Sequence, residues 1–218
     1  MDLERKYTPG GVANYQWHNP SVEAKVAPYL TRLTTRPVLF YGPPGSGKSR
    51  LGRLLPHMIC TDLDPSMHMK RLHGSHATIA KIERLVDFCE MIAWNSLRMH
   101  VISIEEVDDV PVSVMNTLKG FVDDISDMED PTLVVMTTNN INKISAAVRD
   151  RCELVHVGLP SAEKLLPFAK FILGNEEVAV DDGLLLDILQ HNAEDGLSYR
   201  EFFKRLTRLI AKLRGTAP

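Results

Sequence analysis

The sequence predicts an α/β protein: a parallel sheet sandwiched by helices, followed by a small helical domain. Three observations predict it. Short apolar, β-branched runs at 37–41, 100–104, 132–137 and 154–157 alternate with segments of helical spacing, as strands buried on both faces do. A loop of the form G-x-x-x-x-G-K-[ST] lies between the first run and the next helix. After Pro160 three helical segments follow with no strand between them.

The elements follow in order. Residues 1–36 are polar and turn-rich, with Pro9-Gly10-Gly11 and Asn19-Pro20 as turn signals. A helix is expected over Ser21 to Leu33, with Ser21 as its N-cap. The strand at 37–41 leads through the loop into a helix from Ser49 to Leu55. His57-Met58-Ile59-Cys60 reads as a short second strand, and 62–70 as irregular. From Thr78 to about Asn95, Ile79, Ile82, Leu85, Val86, Cys89 and Ile92 recur at helical spacing. The strand at 100–104 is followed by a helix over Val112 to Ile125, and the strands at 132–137 and 154–157 complete the sheet. The last helices are expected at Ser161–Leu173, Gly183–His191 and Ser198–Leu213. The domain boundary falls near Gly158-Leu159-Pro160, giving domains 1–160 and 161–218.

Composition narrows the function classes. The chain has 218 residues, 44% hydrophobic and 24% charged, an ordinary globular balance. No apolar run approaches the ~20 residues of a membrane span, and Met1 to Lys6 has no apolar stretch of a secretory leader. No membrane role is expected. Cys60, Cys89 and Cys152 are widely spaced without a C-x-x-C pair, which argues against structural zinc and disulfides and fits a reducing, cytoplasmic setting. A net charge of −3 excludes a globally basic nucleic-acid binder, so any DNA contact needs a local basic patch.

The chemistry concentrates in the loop Gly42-Pro43-Pro44-Gly45-Ser46-Gly47-Lys48-Ser49. Its glycines let backbone N–H groups close around phosphates at a helix N-terminus. Lys48 is expected to reach the β- and γ-phosphates of a bound nucleotide, and the Ser49 hydroxyl to sit on Mg²⁺. Next, Val101-Ile102-Ser103-Ile104 delivers Glu105 and Glu106 at the end of a strand, a Walker B arrangement. Glu105 is expected to orient Mg²⁺ and Glu106 to polarise the attacking water. Glu105 stands where most such proteins carry Asp and is one methylene longer. Asn139, closing the strand at 132–137, is the candidate to face the γ-phosphate and the water.

With these motifs in order, the chain resembles the AAA+ ATPases, and within them the clamp-loader ATPase subunits: replication factor C small subunits and their phage counterparts. Leu3 to Pro9 is similar to the family's segment that abuts the adenine, which puts Tyr7 at the nucleotide. Leu72-His73-Gly74-Ser75 and the following helix resemble its DNA-facing segment. Thr137-Thr138-Asn139 matches sensor 1. Asp150-Arg151-Cys152 resembles the Ser-Arg-Cys triplet, whose arginine acts as a finger on a neighbouring subunit's ATP, and Asp150 replaces its serine. Tyr199-Arg200 sits where sensor 2 is expected. The resemblance implies a P-loop NTPase fold with a helical lid, ATP and Mg²⁺ as cofactors, and catalytic roles for Glu106, Asn139, Arg151 and Arg200. It also implies partners: copies of itself or related AAA+ subunits, DNA read through its backbone, and a sliding clamp or replicative helicase as the loaded client. The family departs from this chain at Met115, often Gln, and continues into a helical collar where this chain stops.

Two alternatives remain open at this level. A helicase loader or other DNA-bound AAA+ regulator fits the same motifs, and a weakly hydrolysing nucleotide-binding scaffold fits Glu105. Lys81 and Arg84, one turn apart, are the candidate DNA contacts. Glu83 and Asp87 are interleaved with them, so a solvated amphipathic face reads equally well. Arg149 reads as a solvated charge.

Overall fold

Val38–Tyr41 forms the strand β1, and both its neighbours come from far along the chain. The structure is a computed structural model that describes residues 2–8 and 19–215; the Pro9-Gly10-Gly11 turn lies outside them. Its described residues fall into two compact units. One comprises residues 21–42 and 48–157; the other draws on 2–8, 19–20, 43–47 and 158–215.

In the first unit, β1 pairs in parallel with β4 (Thr132–Thr138) and β5 (Glu153–His156). β3 (His100–Glu105) joins β4, and β2 (Met69–His73) joins β3, also in parallel. The order is β2-β3-β4-β1-β5. Side chains alternate across the sheet. Leu39, Ile102, Ile104, Val134 and Met136 pack on one face with α5 (Ile79–Cys89), α6 (Val112–Ser126) and Val148 of α7 (Ala146–Asp150). α3 (Lys48–Ile59) packs against β1, β3 and β4. α2 (Pro20–Leu30) adds buried Val22, Val26 and Tyr29.

Several boundaries differ from the sequence reading, each for a physical reason. His57-Met58-Ile59-Cys60 is no strand: His57 to Ile59 is the last turn of α3, and the Cys60 N–H donates to the Pro56 carbonyl. Pro56 reads as a helix stop, yet Leu51, Leu54, Leu55 and Ile59 keep the buried stripe continuous through it. The strand that fills this place in the sheet is β2, preceded by the single turn α4 (Pro65–His68). It lies on the sheet edge with Lys70 and Arg71 exposed, so it carries no apolar run. Pro20 opens α2, leaving Ser21 inside its first turn rather than capping it. α5 stops at Cys89, six residues before Asn95, and Ile92 is 58% exposed. Asn95 folds the next segment instead, accepting from the Leu97 and Met99 N–H groups and donating to the Met99 carbonyl.

The second unit packs α8 (Ala162–Asn175), α9 (Asp182–Gln190) and α10 (Tyr199–Leu213) around Leu165, Ile172, Leu189, Phe202 and Leu206. Asp181 and Ser198 cap α9 and α10 through their side chains. The short helix α1 (Leu3–Tyr7) joins them, burying Leu3 in the same core. Among the described residues no helix is long and apolar enough to cross a membrane.

Candidate active site

Three loop glycines take backbone angles open to glycine at little cost: φ is +146° at Gly42, +77° at Gly45 and +95° at Gly47. These turns let the chain reverse between β1 and α3. Lys48, the first residue of α3, is 5% exposed, and its Nζ donates to the Gly42 carbonyl at 2.8 Å. The loop amine thus rests on the loop's own backbone. In the helical unit, the Gly45 carbonyl accepts from the Tyr199 N–H at 2.9 Å, fixing the loop's middle (Pro43, Pro44, Gly45, Ser46, Gly47) against the start of α10.

Ser49 and Arg53 lie four residues apart on α3, hence on one face. Arg53 reaches the last residue of β3: its Nε and Nη2 donate to the two Glu105 oxygens at 2.9 and 3.0 Å. This pair marks the α3 face that carries Ser49 as the one turned toward the carboxylate. An ion that takes most of its ligands from phosphate and water, as Mg²⁺ does, fits such a sparse donor set.

Glu106 follows with φ 54° and ψ 56°, a left-handed backbone rare outside glycine. Its N–H donates to Thr137 Oγ1 at 3.3 Å, and its carbonyl accepts from the Asp109 N–H at 2.9 Å. The carbonyl also closes on Gly74, where any Cβ would stand 2.0 Å from it. The carboxylate is 47% exposed and lies 3.4 Å from His73 Nε2. The end of β4 is fixed by Asp108, which accepts from Thr138 Oγ1 at 2.8 Å and from the Asn139 N–H at 3.3 Å. Asn139 is exposed directly beyond it. Asp108 and Asn139 are 31 residues apart, and the pairing of β3 with β4 is what brings them together.

The remaining candidates are dispersed. Arg151 forms an ion pair with Asp123 of α6 and donates to the Ala147 carbonyl at 2.8 Å. This guanidinium holds the Asp123 carboxyl below the usual range. Arg149 has a buried Nε without a partner among the described residues. Lys81 and Arg84 are exposed on the first turns of α5, and Lys81 Nζ donates to the His76 carbonyl at 2.8 Å. In the helical unit Arg200 is exposed on α10. Tyr7 donates its hydroxyl to Glu176 at 2.8 Å, and Lys6 and Arg214 bind the same buried carboxylate at 2.8 and 3.2 Å. Lys6 first, then Tyr7, holds the Glu176 carboxyl below its ordinary value.

Comparison with known proteins places this geometry. Residues 38–158 match the model of the ATPase family associated with various cellular activities (AAA). Among curated proteins the chain is 26% identical over 196 residues to the replication factor C large subunit of Methanoregula boonei, covering 87% of this chain and 39% of that one. It is 20% identical over 169 residues to the DNA polymerase III subunit gamma of Buchnera aphidicola, covering 70% and 46%. The chain therefore spans less than half the length of these relatives. Among solved structures, the Thermotoga maritima RuvB Holliday junction branch migration motor superposes with a TM-score of 0.69 at 16% identity, covering 99% of this chain and 66% of that one. A point mutant of RuvB superposes with a TM-score of 0.67 at 16% identity, covering 95% and 65%. The family match spans more than half of the chain and contains the phosphate loop, both strand-terminal acids and Asn139: the protein belongs to the AAA ATPase family.

Proposed function

We propose that the chain is an ATP-hydrolysing AAA+ subunit that acts in an oligomer, with copies of itself or related subunits, to load a partner onto DNA as clamp loaders do. In this reading residues 1–160 form the nucleotide-binding domain and 161–218 a helical lid. ATP places its phosphates on Gly42 to Ser49, and Ser49 and Glu105 hold Mg²⁺. Glu106 polarises the attacking water and Asn139, steadied by Asp108, orients it. Arg151 serves the neighbouring subunit's site, and Arg200 its own. Lys81 and Arg84 contact the DNA backbone. The Tyr7 hydroxyl is engaged by Glu176, so a contact with the base would use its ring.

The observation that carries the reading is the Arg53–Glu105 contact, which joins α3, the helix that opens with Lys48 and Ser49, to the end of β3 within the segment that matches the family. The names of the two curated relatives support a setting in replication, and the sequence resemblance supports the loader role. The test is ATP turnover with and without primer–template DNA, in the wild type and in Lys48→Ala. Turnover should rise with DNA and fall by at least about 10²-fold in the variant, which loses its charge on the β/γ-phosphates. Normal turnover in Lys48→Ala would remove the reading. Wild type without turnover would leave a nucleotide-binding scaffold, and stimulation by a helicase instead of a sliding clamp would change the client.

A further inference from the structure

We propose that Arg53 is a positioning residue on Glu105 that acts in two ways: its charge tempers how strongly the site takes up its divalent cation, and its fork holds the carboxylate in place for turnover. The inference rests on the ATPase reading above. Glutamate at this position has one more rotatable bond than aspartate, so its carboxylate can swing through a wider arc. The Arg53 fork removes that freedom: two parallel N–H donors engage both oxygens, at 2.9 and 3.0 Å. Each oxygen keeps an outward lone pair for water. The pair is built into the site, since Glu105 is 20% exposed and Arg53 stands one helical turn from Ser49. An arginine is always charged, so the pair is nearly neutral. A cation arriving at Ser49 therefore meets a fixed carboxylate whose charge is already balanced. Removing the arginine restores the carboxylate's full charge, which strengthens metal uptake, and frees its rotation, which lowers turnover.

The test is a Mg²⁺ titration of binding of a fluorescent ATP analogue, run beside steady-state turnover at saturating Mg²⁺. In Arg53→Gln the half-saturating Mg²⁺ should fall about tenfold, as expected for losing one nearby cation at a partly exposed site, while kcat falls. Arg53→Lys keeps the charge without the fork, so its Mg²⁺ half-saturation should stay within about twofold of wild type while kcat still drops. The same Arg53→Gln change in a Glu105→Gln background should leave Mg²⁺ uptake unchanged within about twofold, because the partner it acts through is gone. An equal Mg²⁺ shift in both backgrounds would make Arg53 a diffuse charge and overturn the proposal, and so would no shift in either. Arg53 is 44% exposed, so the variants should melt within about 2 °C of wild type; a larger loss with no Mg²⁺ shift assigns the pair to stability alone. Wild type that binds no analogue at any Mg²⁺ concentration refutes the ATPase reading itself, a result distinct from a bound analogue with an unshifted titration.

Discussion

Glu106 holds a left-handed backbone that costs an ordinary residue on the order of 1 kcal/mol or more. The surrounding bonds to Thr137 and Asp109 keep it there and aim an exposed carboxylate outward. Glu106→Gln should retain ATP binding but slow hydrolysis about 10²-fold or more in single-turnover assays, because an amide cannot take the proton of the attacking water. If Glu105→Gln is instead the variant that traps ATP, the roles of the two acids are exchanged. Asp108→Ala, which removes the acceptor, should lower kcat about tenfold with little change in nucleotide affinity, since it acts through the placement of Asn139. Its effect should not add to that of Asn139→Ala; full additivity would separate the two residues. Glu105, Glu106 and Asn139 stand out as candidates in the sequence because each follows an apolar run. Asp108 and Arg53 do not: their partners lie 30 and 52 residues away, and only the β3–β4 pairing and the approach of α3 bring them together.

At the scale of elements, apolar strands and capped helices were readable, while the polar edge strand β2 and several helix ends were not. β2 hides because Lys70 and Arg71 in its middle are exposed and break any apolar run, and the end of α3 hides because Pro56 interrupts its pattern without interrupting its buried stripe. α5 presents Lys81 and Arg84 to solvent beside Glu83 and Asp87. Lys81→Glu with Arg84→Glu should weaken DNA binding and flatten its salt dependence equally on all sequences. Unchanged affinity assigns the helix to a solvated face. In the helical unit α1, α8 and α10 converge on Glu176. Its folded pKa lies below its unfolded value, so the stabilisation it gives is complete above the ordinary value of 4.5 and is lost as pH falls through the folded pKa. Thermal melts of Glu176→Gln should therefore lie below wild type at pH 7 and approach it at acid pH. A constant gap across that range would show that the carboxylate's charge is irrelevant.

At the scale of the whole molecule, the proposed sharing of sites between subunits rests on Arg151, which in the single chain is engaged by Asp123. Service to a neighbour requires exchanging that partner, so Asp123→Asn should leave the arginine freer without removing it. Arg151→Ala should bind ATP normally yet lose DNA-stimulated turnover by about 10³-fold. Mixed with Lys48→Ala it should recover activity, because the intact finger of one subunit meets the intact loop of the other. Absence of recovery in any mixture, with wild-type turnover rising with protein concentration, would pass the role to Arg149. The alternation of strands and helices made the sheet unit legible from the sequence; the part played by the first residues was hidden, because a five-residue helix has too few positions to show a period. That part has a practical consequence. Segment 161–218 expressed by itself would lack Leu3, and its Glu176 would lose Lys6 and Tyr7. A protease cutting at 158–160 would sever one covalent link while α1 and the phosphate loop still grip α10. The nicked protein should run as two bands on a denaturing gel and elute as a single species from a sizing column.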